Sequence, residues 1–169
     1  MSTTTTDRPE LPDGLPDTRR MWLPRTNPGV YKALVALQRA SSEDVEPELG
    51  ELIKIRASQL NHCAYCLHMH VSDAVALGVD PLLLSMVAVW REATHLFTER
   101  QCAALELTDH VTRLGERGVP DDVFARARTQ FDEAELGRVL ASIVMINAWN
   151  RIAIAGSYPA GLDERQLRS

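Results

Sequence analysis

The stretch Glu51-Leu-Ile-Lys-Ile-Arg-Ala-Ser-Gln-Leu-Asn-His-Cys-Ala-Tyr-Cys-Leu-His-Met-His70 decides how this chain is read. Leu52, Ile53 and Leu60, with Leu49 just before, recur at helical spacing, and Pro47 sets the start of that helix. Asn61-His62 interrupts it. From Cys63 a second helix runs to about Leu77, where Gly78 stops it. Residues three and four apart share a helix face, so Cys63, Cys66, His70, Ala74 and Leu77 form one stripe. The stripe is otherwise apolar, which makes it the inward side. The expectation is a central αα-hairpin that turns two thiols and an imidazole towards the interior.

The rest of the chain is helical text around that hairpin. Asn27-Pro28 reads as an N-cap followed by proline at the first helical position, with Val30, Tyr31, Leu34 and Leu37 as the apolar side. Asp80-Pro81 opens a short helix over Leu82 to Trp90. Thr98 with Gln101, and Asp132 with Glu135, have the form of capping boxes. The first starts a helix to about Leu114, the second a long apolar helix to about Ile154, closed by Gly156. Pro120 opens a helix through about Gln130. No segment alternates with period two for long enough to be a strand. The fold class is therefore all-α, with six or seven helices. Residues 1–20, rich in Thr, Pro and Asp, read as a flexible arm, and 21–169 as a single domain.

Composition excludes several function classes. The 169 residues carry a formal charge of -5, and the 18 Lys and Arg are scattered, so no nucleic-acid footprint is expected. No apolar run reaches the roughly 18–20 residues of a membrane span. Met1 to Pro16 has no signal-peptide core, and the expected setting is cytoplasmic. Three cysteines, two of them three positions apart, are not the disulfide framework of a secreted domain. In a reducing compartment such a pair reads as redox-active or metal-binding.

The chemistry follows from the spacing. A thiolate is the nucleophile, and a free thiol ionises near pH ~8.5. The helix N-terminus lowers the cost of negative charge at Cys63 and Cys66. His70, one turn on, can take the Cys66 proton. Glu51, across the hairpin, can reach the far nitrogen of His70 and fix its tautomer. A Cys66 thiolate that attacks a hydroperoxide becomes a sulfenic acid, and Cys63 can condense with it to a disulfide. An external thiol or dithiol then reduces the bridge by exchange.

Glu51, Cys63-Ala-Tyr-Cys66 and His70 resemble the signature of the alkylhydroperoxidase D-like branch of the carboxymuconolactone decarboxylase family. The resemblance extends to Trp90-Arg-Glu, Phe97-Thr-Glu-Arg and Ile146-Asn-Ala-Trp-Asn-Arg151, and covers about Tyr31 to Ala155. It implies an all-helical fold, a peroxidatic Cys66, a Cys63 that forms the disulfide with it, and a proton relay of His70 and Glu51. It also implies assembly as a homo-oligomer, a trimer or hexamer. The family's founding enzyme has a histidine just before the second cysteine, where this chain has Tyr65.

The implied activity is reduction of hydrogen peroxide or organic hydroperoxides, with no cofactor and no metal. Tyr65 and His62 are possible pocket residues. Rival readings are a zinc site of Cys63, Cys66 and His70 completed by His62 or Glu51, a cofactor-free decarboxylase of a lactone acid, and a redox sensor whose disulfide alters assembly. Cys102 reads as a small core residue. His68 points away from the Cys66 face. Asn147, Trp149, Asn150 and Arg151 lie in an apolar helix and need partners there.

Overall fold

In the computed structural model, which describes residues 10–163 and 165, the chain forms eight α-helices. They are α1 (Leu23–Thr26), α2 (Pro28–Ser42), α3 (Pro47–Asn61), α4 (Ala64–Ala76), α5 (Pro81–Met86), α6 (Glu99–Thr112), α7 (Asp121–Gln130) and α8 (Glu133–Gly156). Short 3₁₀ turns follow α5 at Val87–Glu92 and Thr94–Leu96. Among the described residues the β-structure is a single isolated bridge, Gly115 to Gly118. The all-α expectation holds, with α1 the helix that the sequence pattern did not show.

The punctuation works as the sequence reads. Pro28, Pro47 and Pro81 each stand in the first turn of their helix. Both capping boxes form, Thr98 with Gln101 and Asp132 with Glu135. The Asn27 side chain accepts the Val30 N–H, and that of Asp80 accepts the Leu82 N–H. α8 runs two residues past Ile154, and the left-handed residue that ends it is Ser157 rather than a glycine.

α3 is the axis of the packing. Leu52, Ile53, Ile55, Ala57 and Ser58 are all fully buried, so this helix has almost no solvent side. Leu49 and Ile53 pack into a cluster with Ala104, Leu107, Val139 and Ile143 of α6 and α8. Leu52 and Ile55 pack into a second with Ala74, Val87, Trp90 and Leu105. Ala57 joins a third that holds Cys63, Tyr65, Cys66, Ile146 and Tyr158. One helix thus supplies all three clusters, and whatever follows it directly in the chain is held inside.

Four sequence expectations need correction. Leu77 does not continue the inward stripe of α4: it caps the helix and is half exposed. On α2 the buried residues are Tyr31 and Ser41, with Leu34, Val35 and Gln38 half-buried beside them, whereas Val30 and Leu37 face out. The segment Leu82 to Trp90 is not one α-helix, because it tightens to 3₁₀ at Val87 and kinks at Val89. The kink lets Val87 and Trp90 both reach the core and leaves Val89 outside. Finally, α8 is long and apolar enough to cross a membrane by length and composition, but half of that window is buried inside the molecule. Its apolar length is spent on the core.

Of the expected arm, residues 1–9 lie outside the described residues. The described part of it is tied down. Leu11 and Leu15 pack against the third cluster. The Arg20 N–H donates to the Gly156 carbonyl at 2.8 Å, and the Thr18 hydroxyl to the Ser157 carbonyl at 3.1 Å. Tyr158 folds back over the end of α8, with its ring 4.8 Å from that of Trp22 and its hydroxyl accepting the Leu23 N–H.

Gly156 makes this closure possible. A Cβ there would stand 2.5 Å from Tyr158 Cε1 and 3.1 Å from the Met21 carbonyl oxygen. Gly156→Ala should therefore displace the buried Tyr158 ring and cost about 1–3 kcal/mol. Chemical denaturation followed by circular dichroism measures this, and an unchanged midpoint would contradict the packing described.

Candidate active site

The turn between α3 and α4 sets the position of both sulfurs. His62 adopts the left-handed conformation, φ 58° and ψ 38°, and ends α3. The Cys63 N–H then donates back to the Ser58 carbonyl at 2.9 Å. Cys63 becomes the N-cap of α4, and its Sγ accepts the Cys66 N–H at 3.3 Å. A thiol thus takes the capping role that Ser or Asp usually fills. Cys63 and Cys66 are both free thiols, 2% and 1% exposed.

This geometry divides the pair. The Cys63 thiol lies below its usual range because the Cys66 thiol donates to it; burial opposes this, and the Cys66 N–H and the Asn150 amide reinforce it. The Cys66 thiol lies far above its usual range because its proton is bonded to Cys63, because it is buried, and because Cys63 carries the charge. The pair gives up a first proton more easily than an ordinary thiol and a second far less easily. The sequence expectation that the helix terminus favours ionisation of both is corrected: two buried thiolates at this distance would repel with little water to screen them.

His70 stands on the same face one turn after Cys66, buried at 5% exposure. Its Nδ1 lies 3.0 Å from Glu51 Oε2 on α3. Burial raises the Glu51 carboxyl, but the His70 hydrogen bond and charge, with Lys54, more than offset this and hold it below its usual range. An ionised Glu51 can only accept, so His70 Nδ1 carries the proton and donates. Nε2 is the nitrogen left to act as a base. Lys54 Nζ binds the other Glu51 oxygen.

Cys66 and His70 line a cavity of about 340 Å³ with Tyr31, Tyr65, Met69 and Trp149. Cys63 lies behind Cys66, outside that lining. Of the expected pocket residues, Tyr65 is there, buried and edge-on to Tyr158 at 5.4 Å. His62 is not: it is exposed at the turn. His68 is exposed as expected. Cys102 is half-buried on α6 and its thiol faces the Thr94 carbonyl at 3.9 Å, apart from this cavity.

The metal reading takes a different form from the one expected. The ligand-like atoms that converge are those of Glu51, His70 and Asp73, all within 4.8 Å of one another, and neither sulfur is among them. Their carboxylates are already occupied by cations, Glu51 by Lys54 and Asp73 by Arg165. That donor set fits a charged hydrogen-bond network better than a metal ion.

The residue that sequence reasoning placed but did not assign is Asn150. It is fully buried, its amide donates to Ser58 Oγ at 3.1 Å, and it favours the charged form of both sulfurs. Asn61 Nδ2 holds both the Asn150 and the Asn147 oxygens at 2.8 Å, and Asn147 Nδ2 donates to Thr112 Oγ1. Arg151, exposed, donates back to the Asn147 carbonyl and side chain. An asparagine amid apolar residues was the signal; its effect on the sulfurs was visible only in three dimensions. Trp90 and Arg91 have another task, since both donate to Asp109, which also holds Arg56.

The carboxymuconolactone decarboxylase family model matches residues 28–110. The uncharacterized protein YdfG of Bacillus subtilis is 41% identical over 105 residues, which span 62% of this chain and 71% of that protein. A crystal structure of ATU0492 from Agrobacterium tumefaciens, a protein of unknown function proposed to be the antioxidant defence protein AhpD, superposes with a TM-score of 0.81 at 34% identity. The match covers 86% of this chain and 99% of that one. An uncharacterized peroxidase-related protein from Ralstonia eutropha, with an alkylhydroperoxidase AhpD core, shares the fold at a TM-score of 0.68 and 24% identity, over 82% of this chain and 74% of its own.

The divided thiol pair has a spectroscopic consequence. In a Cys102→Ser background, thiolate absorbance in the ultraviolet should rise by one equivalent below the ordinary thiol range near ~8.5. The second equivalent should stay absent until well above it. Two equivalents that appear together near the ordinary value would contradict this division of the pair.

Proposed function

The chain belongs to the carboxymuconolactone decarboxylase family, in its alkylhydroperoxidase D-like branch, and on that premise we propose that it is a thiol-dependent peroxidase. The observation that carries this reading is a CxxC sulfur, Cys66, opening onto a cavity beside His70, whose other nitrogen is held by an ionised carboxylate. A site with that arrangement can make a nucleophile and supply a proton to its leaving group.

The steps follow from where protons rest. In the reduced state Cys63 carries the charge and Cys66 the proton. Shift of that proton to Cys63 places the charge on the sulfur that faces the cavity. Cys66 attacks the distal oxygen of R–O–OH, the O–O bond breaks, and the alkoxide takes a proton from His70 Nε2, which has first accepted it from solvent. The products are R–OH and a Cys66 sulfenic acid. Cys63, now a thiol three residues away, attacks that sulfur; its proton leaves with the hydroxide as water, and the disulfide forms. An external thiol or dithiol returns the pair to the reduced state and is oxidised in turn.

Each neighbour has a part in this reading. Glu51 fixes the His70 tautomer and offsets the charge when the ring is protonated, and Lys54 keeps Glu51 ionised. Asn150 steadies whichever sulfur is negative. A cytoplasmic protein in a reducing compartment would find a dithiol there. A homo-oligomer, which the family resemblance implies, would have exposed apolar side chains such as Val75, Leu140 and Val144 available for contact.

Cys66→Ser should abolish dithiol-supported peroxide consumption. Cys63→Ser should turn over once and stop at a sulfenic acid that dimedone captures on Cys66. His70→Gln should lower the rate by about 10²–10⁴-fold. Peroxide consumption in Cys66→Ser at the native rate would overturn the proposal.

A further inference from the structure

The cavity in front of Cys66 is built for more than hydrogen peroxide. Its volume is about 340 Å³, while a water's share of the liquid is about 30 Å³. A peroxide of two oxygens would leave most of it to solvent, and its size is that of a site for a small organic molecule. The walls agree with this. Tyr31, Val35, Tyr65, Met69 and Trp149 present aromatic and aliphatic surface, with Tyr31 set edge-on to Trp149 at 5.8 Å.

Two guanidinium groups border the same cavity, and they are not equivalent. Arg165 is already neutralised by Asp73 at 2.8 Å and Asp163 at 2.7 Å. Arg39, in the last turn of α2, has no ion-pair partner among the described residues. The cavity therefore combines a sulfur at its inner end, an apolar body and, among the described residues, one cation without an ion-pair partner at its rim. A ligand complementary to all three has a reactive hydroperoxide, a hydrocarbon body and an anionic end.

Resting on the peroxidase reading above, we propose that the preferred substrates are amphipathic organic hydroperoxides bearing a carboxylate, such as hydroperoxides of medium-chain fatty acids, with Arg39 as the residue that selects them. The hydrocarbon lies against Tyr31, Val35, Met69 and Trp149, the carboxylate meets the Arg39 guanidinium, and the peroxide reaches Cys66. The redox step is unchanged: the hydroperoxide is reduced to the hydroxy acid and water, and a dithiol is oxidised. Arg39 touches the remote end of the substrate, so it acts through binding and leaves the sulfur chemistry alone.

The test compares a hydroperoxy fatty acid with its methyl ester and with hydrogen peroxide in the full-length reduced protein. The acid should have a kcat/KM about ten-fold above the ester, as one charge-assisted contact supplies. Arg39→Gln should remove that difference by lowering the acid alone, and Arg39→Lys should restore part of it. A second readout does not depend on turnover: binding of the unreactive hydroxy fatty acid, followed by tryptophan fluorescence, should weaken about ten-fold in Arg39→Gln. Equal rates for acid and ester, or hydroxy-acid binding that Arg39→Gln does not change, would overturn the proposal. Absence of all peroxide turnover with hydroxy-acid binding intact and Arg39-dependent would refute the peroxidase reading and leave the ligand class standing.

Discussion

A helix buried over most of its surface must pair most of its polar groups, and that constraint on α3 organises this molecule. The cost of an unsatisfied polar group in such a place is about 1–3 kcal/mol. Apart from Gln59, whose side-chain oxygen is buried without a partner among the described residues, the polar residues of α3 reach across to a neighbouring helix or along their own. Glu51 takes His70 and Lys54; Arg56 takes Asp109; Ser58 takes Asn150; Asn61 takes Asn147 and Asn150. Two of those partners, His70 and Asn150, are the groups that attend the sulfurs. The proposed machinery and the hydrogen-bond satisfaction of the central helix are one network.

Within that network the two cysteines are made unequal by backbone geometry. Cys63 is at the N-cap, where an N–H is available to a negative sulfur, and it stands outside the cavity lining. Cys66 is one turn in and faces the cavity. The sulfur that holds charge most readily is thus not the one that faces the cavity. In the proposed mechanism this arrangement protects the nucleophile at rest, because Cys66 keeps its proton until a short shift within the pair exposes the charge. It also leaves Cys63 protonated when the sulfenic acid forms, which is the state that closes the disulfide with loss of water.

Much of this was legible in the sequence. Capping residues act locally, so Asn27, Thr98 with Gln101, and Asp132 with Glu135 marked helix starts correctly. The i, i+4 relation of Cys66 and His70 is a property of any helix, and the short break at Asn61-His62 forced the return that brings Glu51 to His70. Other features depend on what surrounds a residue. Val30 and Leu37 follow helical periodicity as well as Tyr31 does, but α2 meets the core through Tyr31. Leu77 continues the stripe of α4 by spacing, yet the helix ends there. Trp90 is pulled inward hard enough to break the helix expected to carry it. The inequality of the thiols rests on one backbone N–H and one distant amide, Asn150, which no local pattern reveals.

The central claim is that Cys63 and Cys66 act as one two-electron unit on a hydroperoxide. The most direct measurement is to add one equivalent of cumene hydroperoxide to the reduced protein and take its intact and peptide masses. The account predicts loss of two hydrogens per chain, a bridge linking Cys63 to Cys66, and one equivalent of cumyl alcohol. Unchanged free thiols at these two positions, with the hydroperoxide still present, would contradict it.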